Sequence, residues 1–279
     1  MGFVCFLISF FVFFVVNALA QPPKRIVSLV PNVTEVLYAI GAGPQVVAVS
    51  SYDQEPPAVR ALPKVGALLD PDTERILTLR PDLVITYSSQ LDLQSQLTRA
   101  SILFFSYRHG DLAHIMATMR ELGARTGHVT AAEKAASAIE TRIAAVRARV
   151  KGRPRPRTLL VFERDGGTLR NIDASAGRGF LHDMLDAAGG EDVLADIDKE
   201  SAQVSIEHIL TRAPEVILEL RVEPLTGAAM EKEVASWSSL ASVPAVKNRR
   251  VIILVGKGLT VPGPRVAEGI EQMAKALHP

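Results

Sequence analysis

Apolar and polar positions follow two rhythms along this chain. Compact runs rich in β-branched residues recur as RIVSLV (25–30), VVAVS (46–50), DLVITY (82–87), ILFFSY (102–107), TLLVFE (158–163) and RRVIILV (249–255), each the length of a strand. ILFFSY reads as a buried strand, and TLRNI (168–172) as an extended piece pairing with TLLVFE. Between these runs lie stretches with helical spacing or helix punctuation. Pro31 to Glu35 opens a helix in which Asn32 is the expected N-cap and Glu35 reaches back to its N–H, and Gly41 and Gly43 stop it. Asp70-Pro71-Asp72 starts another, which Pro81 ends. LQSQL (93–97), residues 111–127, the segment FLHDMLDAAGG after Ser175–Gly179, and an amphipathic 263–277 with Pro264 near its start complete the helical set. Alternating strand and helix predicts an α/β fold built on parallel sheets.

One helical stretch differs from the rest. Ile139, Ile143, Val146 and Val150 recur on a single face, and neither Gly nor Pro occurs between Thr130 and Gly152. Thr130 and Glu133 have capping-box spacing. A helix over 130–151 is about 30 Å long at 1.5 Å per residue. Two readings fit it: a rigid strut between two halves, or a surface helix of the first half. The basic run RVKGRPRPR (149–157) that follows suits a solvated helix end, where cations oppose the dipole, with membrane-surface contact as the alternative.

A short segment is written twice. TERILTLRPDLVITY (73–87) and IEHILTRAPEVILEL (206–220) align without a gap at an offset of 133. Glu74 matches Glu207, Ile76 matches Ile209, Thr78 matches Thr211 and Pro81 matches Pro214; Asp82 and Glu215 keep their charge. LYAIGAGPQVV (37–47) resembles LDAAGGEDVL (185–194) more loosely. A shared helix–turn–strand unit in each half predicts two similar α/β lobes, and a cleft between lobes is a common place for a ligand.

Composition narrows the chemistry. Residues 1–20 carry no Asp, Glu, Lys or Arg and end in Ala-Leu-Ala, which reads as a secretory signal cut after Ala20. No Lys or Arg precedes the apolar run, so a retained N-terminal membrane anchor is the alternative. Cleavage removes six of the ten phenylalanines and Cys5, the only cysteine. The remaining chain of about 259 residues holds two lobes and a connector but no thiol chemistry. A net charge of +1 argues against nucleic acid as partner. The six histidines, 109, 114, 128, 182, 208 and 278, form no tight ligand pair, and there is no GxSxG segment.

Taken in order, RIVSLVPNVTEVLYAIGAG, SSYDQEPP (51–57), TERILTLRPDLV, a long mid-chain helix and VSIEHILTRAPEVIL resemble the periplasmic substrate-binding proteins of ABC importers for vitamin B12, haem and ferric siderophores, nearest to the B12-binding members. The resemblance covers most of 24–277. It implies an N-terminal α/β lobe (24–128), a linking helix (129–152) and a C-terminal α/β lobe (153–279), with the ligand between the lobes. It implies a monomeric, extracytoplasmic, non-enzymatic protein without a cofactor of its own. Its partners are then a corrinoid, haem or siderophore and a permease dimer.

The resemblance also assigns residues. Glu74 and Glu207, at the second position of helices capped by Asp72 and Ser205, become one docking carboxylate per lobe for arginines of the importer. Tyr52 and Tyr87 stand where cleft aromatics are expected. Tyr107-Arg108-His109 follows a strand and precedes a helix, so Arg108 is expected to hold a ligand oxygen and His109 is a candidate axial ligand to a ligand-borne metal. Leu68 and Leu69 occupy a place where tryptophan is expected, and neither KESAQ (199–203) nor GKGLTVPGPR (256–265) carries an aromatic. Trp237, the only tryptophan, reads as packing. Ser175–Gly179 offers N–H groups at a helix start to an anionic group. Two other functions compete: an exported tetrapyrrole enzyme such as a chelatase, and a zinc- or manganese-binding importer component, which the scattered histidines disfavour.

Overall fold

The computed structural model describes residues 21–279. The segment assigned to a signal or anchor, with Cys5, lies outside the described residues. Two sheets organise the rest. The first joins β1 (Ile26–Ser28), β2 (Val46–Val49), β3 (Leu83–Tyr87) and β4 (Leu103–Tyr107), all parallel, in the order β2-β1-β3-β4. Helices α1 (Pro31–Ala39), α2 (Thr73–Thr78), α3 (Leu91–Arg99) and α4 (Leu112–Thr126) belong to this lobe. After α5 (Val129–Val150) the second sheet collects β5 (Arg157–Glu163), β6 (Ile172–Ser175), β8 (Ser201–Val204), β9 (Val216–Arg221) and β10 (Val251–Val255) in the order β10-β9-β5-β6-β8, with the two-residue β7 (Glu191–Asp192) beside the start of β5. Its helices are α6 (Phe180–Ala187), α7 (Ile206–Arg212), α8 (Gly227–Ala235), α9 (Pro244–Lys247) and α10 (Val266–Leu277).

The duplicated segment forms the same unit in both lobes, down to single hydrogen bonds. Each copy turns from helix to strand through a left-handed residue, Arg80 (φ 48°) and Ala213 (φ 45°), 133 positions apart. Asp82 and Glu215 then cap the neighbouring strand alike: the Asp82 carboxylate accepts from the Arg25 N–H (2.9 Å), and that of Glu215 from the Arg157 N–H (3.0 Å). The Arg25 and Arg157 guanidiniums donate back to the carbonyls of Leu79 (3.0 Å) and Arg212 (2.7 Å). The looser match holds at its glycines, since Gly41 (φ 89°) and Gly189 (φ 83°) both end helices in the left-handed region.

Helix α5 packs on α4 of the first lobe and on α10 and α6 of the second, which selects the strut over the ordinary surface helix. Ile139, Ile143, Val146 and Val150 are buried in one continuous core shared by both lobes. Contact with α4 is close enough that a Cβ at Gly123 would sit 2.3 Å from Ala132 Cβ. Arg142 fixes α5 to α10 through Glu271 at 2.9 and 3.0 Å.

Several local expectations give way to longer-range partners. Helix α1 begins at Pro31 behind Val30, with no side-chain cap. Asn32 is therefore inside the first turn and buried, and Glu35 pairs with Arg265 instead of closing a capping box. Helix α5 likewise starts at Val129 without a side-chain cap, which puts Thr130 inside the first turn, and Glu133 is held by Arg120 at 2.8 Å. The second sheet is mixed: β6 runs antiparallel to both β5 and β8, and it starts at Ile172, so residues 168–171 are not extended. Strand β4 is a sheet edge, with Leu103 exposed while Phe105 and Tyr107 face the core. Pro264 precedes α10. Among the described residues no helix is long and apolar enough to cross a membrane.

Candidate functional site

Parallel strands leave their C-terminal ends on one side of a sheet, where loops can gather around a ligand. In the first lobe those ends deliver Leu29, Ser50 and Tyr87. With Pro31, Tyr52, Ala67, Leu68, Leu69 and Asp70 they line a recess of about 570 Å³. Tyr52 is 74% exposed and Leu69 93%, so the recess has a free apolar and aromatic surface. Leu68 and Leu69 are thus part of the wall, although sequence reasoning treated them only as a missing tryptophan. The loop that carries them is shaped by Gly66 (φ 81°), where a Cβ would meet the Asp70 carbonyl at 2.1 Å. Gln90 clamps it: its Nε2 donates to the carbonyls of Ala67 (3.2 Å) and Leu68 (3.1 Å), while its Oε1 accepts from the Tyr87 N–H (2.9 Å).

Tyr87, Tyr107 and His109 form one cluster. Their ring centroids are 6.3 Å apart for the tyrosines, and His109 lies 6.0 Å from Tyr87 and 5.4 Å from Tyr107. Burial pushes the Tyr107 hydroxyl up to about 12, and raises that of Tyr87 with help from Asp53. Crowding by protein lowers the pKa of His109, opposed by Glu200 of the second lobe. The imidazole is therefore mostly neutral at pH 7, the form that can coordinate a metal. Arg108 turns elsewhere. It lines a separate recess of about 630 Å³ along the β4 edge, with Phe104, Tyr107, His114, Glu121 and Arg125, and does not line the Tyr52–Tyr87 recess.

The lobes are fastened together by residues that sequence reasoning gave no such role. Asn32 Nδ2 donates to the Tyr107 hydroxyl (2.7 Å) and to the Pro262 carbonyl of the second lobe (3.0 Å). Arg265 grips Glu35 with two hydrogen bonds, 2.6 and 2.9 Å. Lys257 meets Glu55 at 2.7 Å and thereby holds the Glu55 carboxyl below its usual pKa. The loop 256–265, empty of aromatics, is an inter-lobe fastening. Nothing in the local spacing of Asn32, Glu35 or Glu55 indicates partners more than 200 positions away. Beneath the recess, Asp53 is buried with Oδ1 unpaired and Oδ2 accepting from the Ser50 N–H at 2.9 Å; burial pushes its pKa up to about 6.

Glu74 and Glu207 are exposed, each at the second position of its helix. The caps are as expected: Asp72 accepts from the Arg75 N–H at 3.0 Å and Ser205 from the His208 N–H at 3.3 Å. Ser205 also holds the Glu207 carboxyl below its ordinary pKa. The anion reading of Ser175–Gly179 is overturned. The N–H groups of Ala176, Gly177 and Arg178 are already donated to the carbonyls of Glu200, Ile197 and Lys199. Trp237 is buried, with its indole N–H on Glu219 at 3.1 Å. Ser175, His182 and Asp192 lie near one another, but the serine and the histidine both turn to the same Asp192 oxygen (3.1 and 3.4 Å), so no serine–histidine relay forms there. Among the described residues no group of three or more His, Cys, Asp or Glu is placed to hold a metal ion.

Comparison with known proteins agrees with this geometry. Residues 26–256 match the family described as periplasmic binding protein. A vitamin B12-binding protein of Yersinia pestis (strain Pestoides F) is 30% identical over 230 residues, 81% of this chain and 79% of that protein. The crystal structure of the periplasmic vitamin B12 binding protein of Vibrio cholerae superposes with a TM-score of 0.78 at 27% identity, covering 92% of this chain and 97% of that one. A periplasmic heme-binding protein from Roseiflexus sp. RS-1 gives 0.74, also at 27% identity, over 91% and 98%.

Proposed function

Because the chain belongs to the periplasmic binding protein family, we propose that it captures a corrinoid of the vitamin B12 type outside the cytoplasm and delivers it to an ABC importer. The observation that carries the corrinoid reading is the recess walled by Tyr52, Tyr87, Leu68 and Leu69. It offers a broad apolar and aromatic surface at the strand ends, suited to the face of a flat macrocycle. The similarity to vitamin B12-binding proteins supports the same ligand. Tyr52 and Tyr87 contact the ring system, and His109 meets its periphery or its metal; Arg108, in the neighbouring β4-edge recess, is left out of the contact set. The protein binds and releases its ligand without turning it over. It works as a monomer after removal of residues 1–20, with 24–128 and 153–279 as lobes and 129–152 as their link.

Glu74 and Glu207 present one carboxylate from each lobe to a permease built from two like subunits, each offering a cationic pocket. Replacing both with Arg is expected to abolish transport and leave ligand affinity unchanged. Haem is the second reading, favoured by the neutral imidazole of His109 between Tyr87 and Tyr107. Titration of the purified protein with cyanocobalamin and with haemin, followed by calorimetry and absorption, separates the two. Saturable cyanocobalamin binding is expected. Binding of haemin alone, with a Soret band that His109→Ala displaces, would transfer the assignment to haem.

A further inference from the structure

The Leu68–Leu69 ridge has two sides. One lines the ligand recess. The other lines a second recess of about 360 Å³, together with Pro71, Thr73 and Leu91. Thr73 is the first residue of α2, so this second recess opens directly beside Glu74. Its apolar surface is unusually free: Leu69 is 93% and Leu91 68% exposed. Asp92 lines the recess, and Asp70, Asp72 and Glu74, which alternate along the chain with its lining residues Pro71 and Thr73, are exposed and give it an acidic surround.

The second lobe breaks the duplication at this point. Where the first lobe enters α2 through the Leu68–Leu69 loop, the second enters α7 through β8, a strand paired in full with β6. The exposed apolar side chains there, Ile206 (37%) and Leu210 (43%), lie on α7 itself.

We propose that the recess between Leu69 and Leu91 receives a loop of the importer that presents an apolar side chain beside a cationic one. This rests on the reading of Glu74 and Glu207 as docking carboxylates and adds a term that reading lacks. The apolar side chain fills the recess, and the neighbouring cation meets the acidic surround. The recess belongs to the first lobe, so the two lobes meet the two subunits of a symmetric permease unequally. The two orientations on a two-fold permease are equivalent, and in each the recess engages one subunit alone. Because the ridge also walls the ligand recess, the importer touches the element that the ligand touches from the other side.

The test uses the full mature chain and the ABC importer encoded in the same genome, reconstituted in lipid nanodiscs, with cyanocobalamin as the ligand probe. Leu91→Asp is the informative variant. Leu91 is exposed at the first position of α3, where an added carboxylate favours the helix, and it does not line the ligand recess. An added negative charge should also strengthen attraction to a cationic permease, so any loss reports the apolar contact. Leu91→Asp is expected to weaken docking about tenfold or more, as loss of a buried apolar anchor does. Cyanocobalamin affinity should stay at the wild-type value. Leu210→Asp, at an exposed leucine one turn after Glu207 in α7, should dock within about twofold of wild type, in the range of a peripheral contact. Wild-type docking by Leu91→Asp, or an equal loss in Leu210→Asp, overturns the proposal. If Glu74→Arg/Glu207→Arg also docks normally, the docking reading fails as well; if that double variant fails to dock while Leu91→Asp docks, only the recess is refuted.

Discussion

Removing the Arg265 side chain tests how firmly the lobes are fastened. Arg265 donates two hydrogen bonds to Glu35, at 2.6 and 2.9 Å, and the side chains are only 27% and 11% exposed. A solvated surface pair is worth about 0–1 kcal/mol, whereas truncating one partner of a fully buried pair costs about 3–5 kcal/mol. This pair lies between those limits. Solvent screens the arginine in part, while the glutamate keeps little access to water once its partner is gone. Arg265→Ala should therefore cost about 2 kcal/mol. For a chain of this size each kcal/mol moves Tm by about 2–4 °C, so scanning calorimetry should show a fall of about 4–8 °C. Adding Glu35→Gln should recover part of it, because the uncompensated charge is removed. Amide exchange should rise over 256–265 and the first turn of α1, the two strands of chain that the pair joins. A drop below about 1 °C would place the pair in the solvated class and refute the reasoning.

Other expectations follow from the same geometry. The folded pKa of Asp53, about 6, lies above its reference value of 3.8, so the neutral form's contribution is complete below about pH 4 and is lost as pH rises through 6. Asp53→Asn should raise stability at pH 7.5 by up to about 3 kcal/mol and leave it nearly unchanged at pH 4; a lower Tm at pH 7.5 contradicts this. Arg164 is fully buried against Glu219 (3.0 Å) and Glu233 (2.6 Å), and its guanidinium lies 5.6 Å from the Trp237 ring. Arg164→Ala should cost about 3 kcal/mol and red-shift the emission of this sole tryptophan; an unshifted spectrum would show that the network does not hold the ring. Ile139→Ala in α5 should cost about 2–5 kcal/mol in a urea titration, since its face is shared by both lobes; a cost within 0.5 kcal/mol would deny the strut its packing role. Tyr87→Ala should weaken cyanocobalamin binding by about 1–2 kcal/mol in calorimetric titration, and an unchanged affinity removes Tyr87 from the site.

The features legible in the sequence are those whose physics is local. Asp72 and Ser205 cap helices because the receiving N–H is three residues away, a distance that spacing fixes. The apolar face of α5 follows from helical periodicity. The paired helix–turn–strand units were readable because both copies solve one local problem, a left-handed turn followed by a carboxylate on the next strand's first N–H. The candidate site was only partly legible. Tyr87 sits at a strand end that the alternation predicted, Tyr52 in the turn after β2, and they share a recess. Arg108 follows Tyr107 just past the end of β4 and lines the recess along that edge, outside the one that holds Tyr52 and Tyr87.

The sequence by itself determined two α/β lobes, a rigid link and the positions of Glu74 and Glu207, since short-range spacing is enough to specify helices, strands and caps. Only the tertiary structure decided what Asn32, Glu35, Glu133 and the Ser175–Gly179 loop do. Each has a local hydrogen-bonding option of ordinary strength, and each abandons it for a partner that folding brings within reach. The same holds for Leu68 and Leu69. Their hydrophobicity is written in the chain, but their exposure depends on Gly66 and Gln90 holding the loop outward. Local and long-range polar contacts are close in free energy, so the choice between them belongs to the assembled fold.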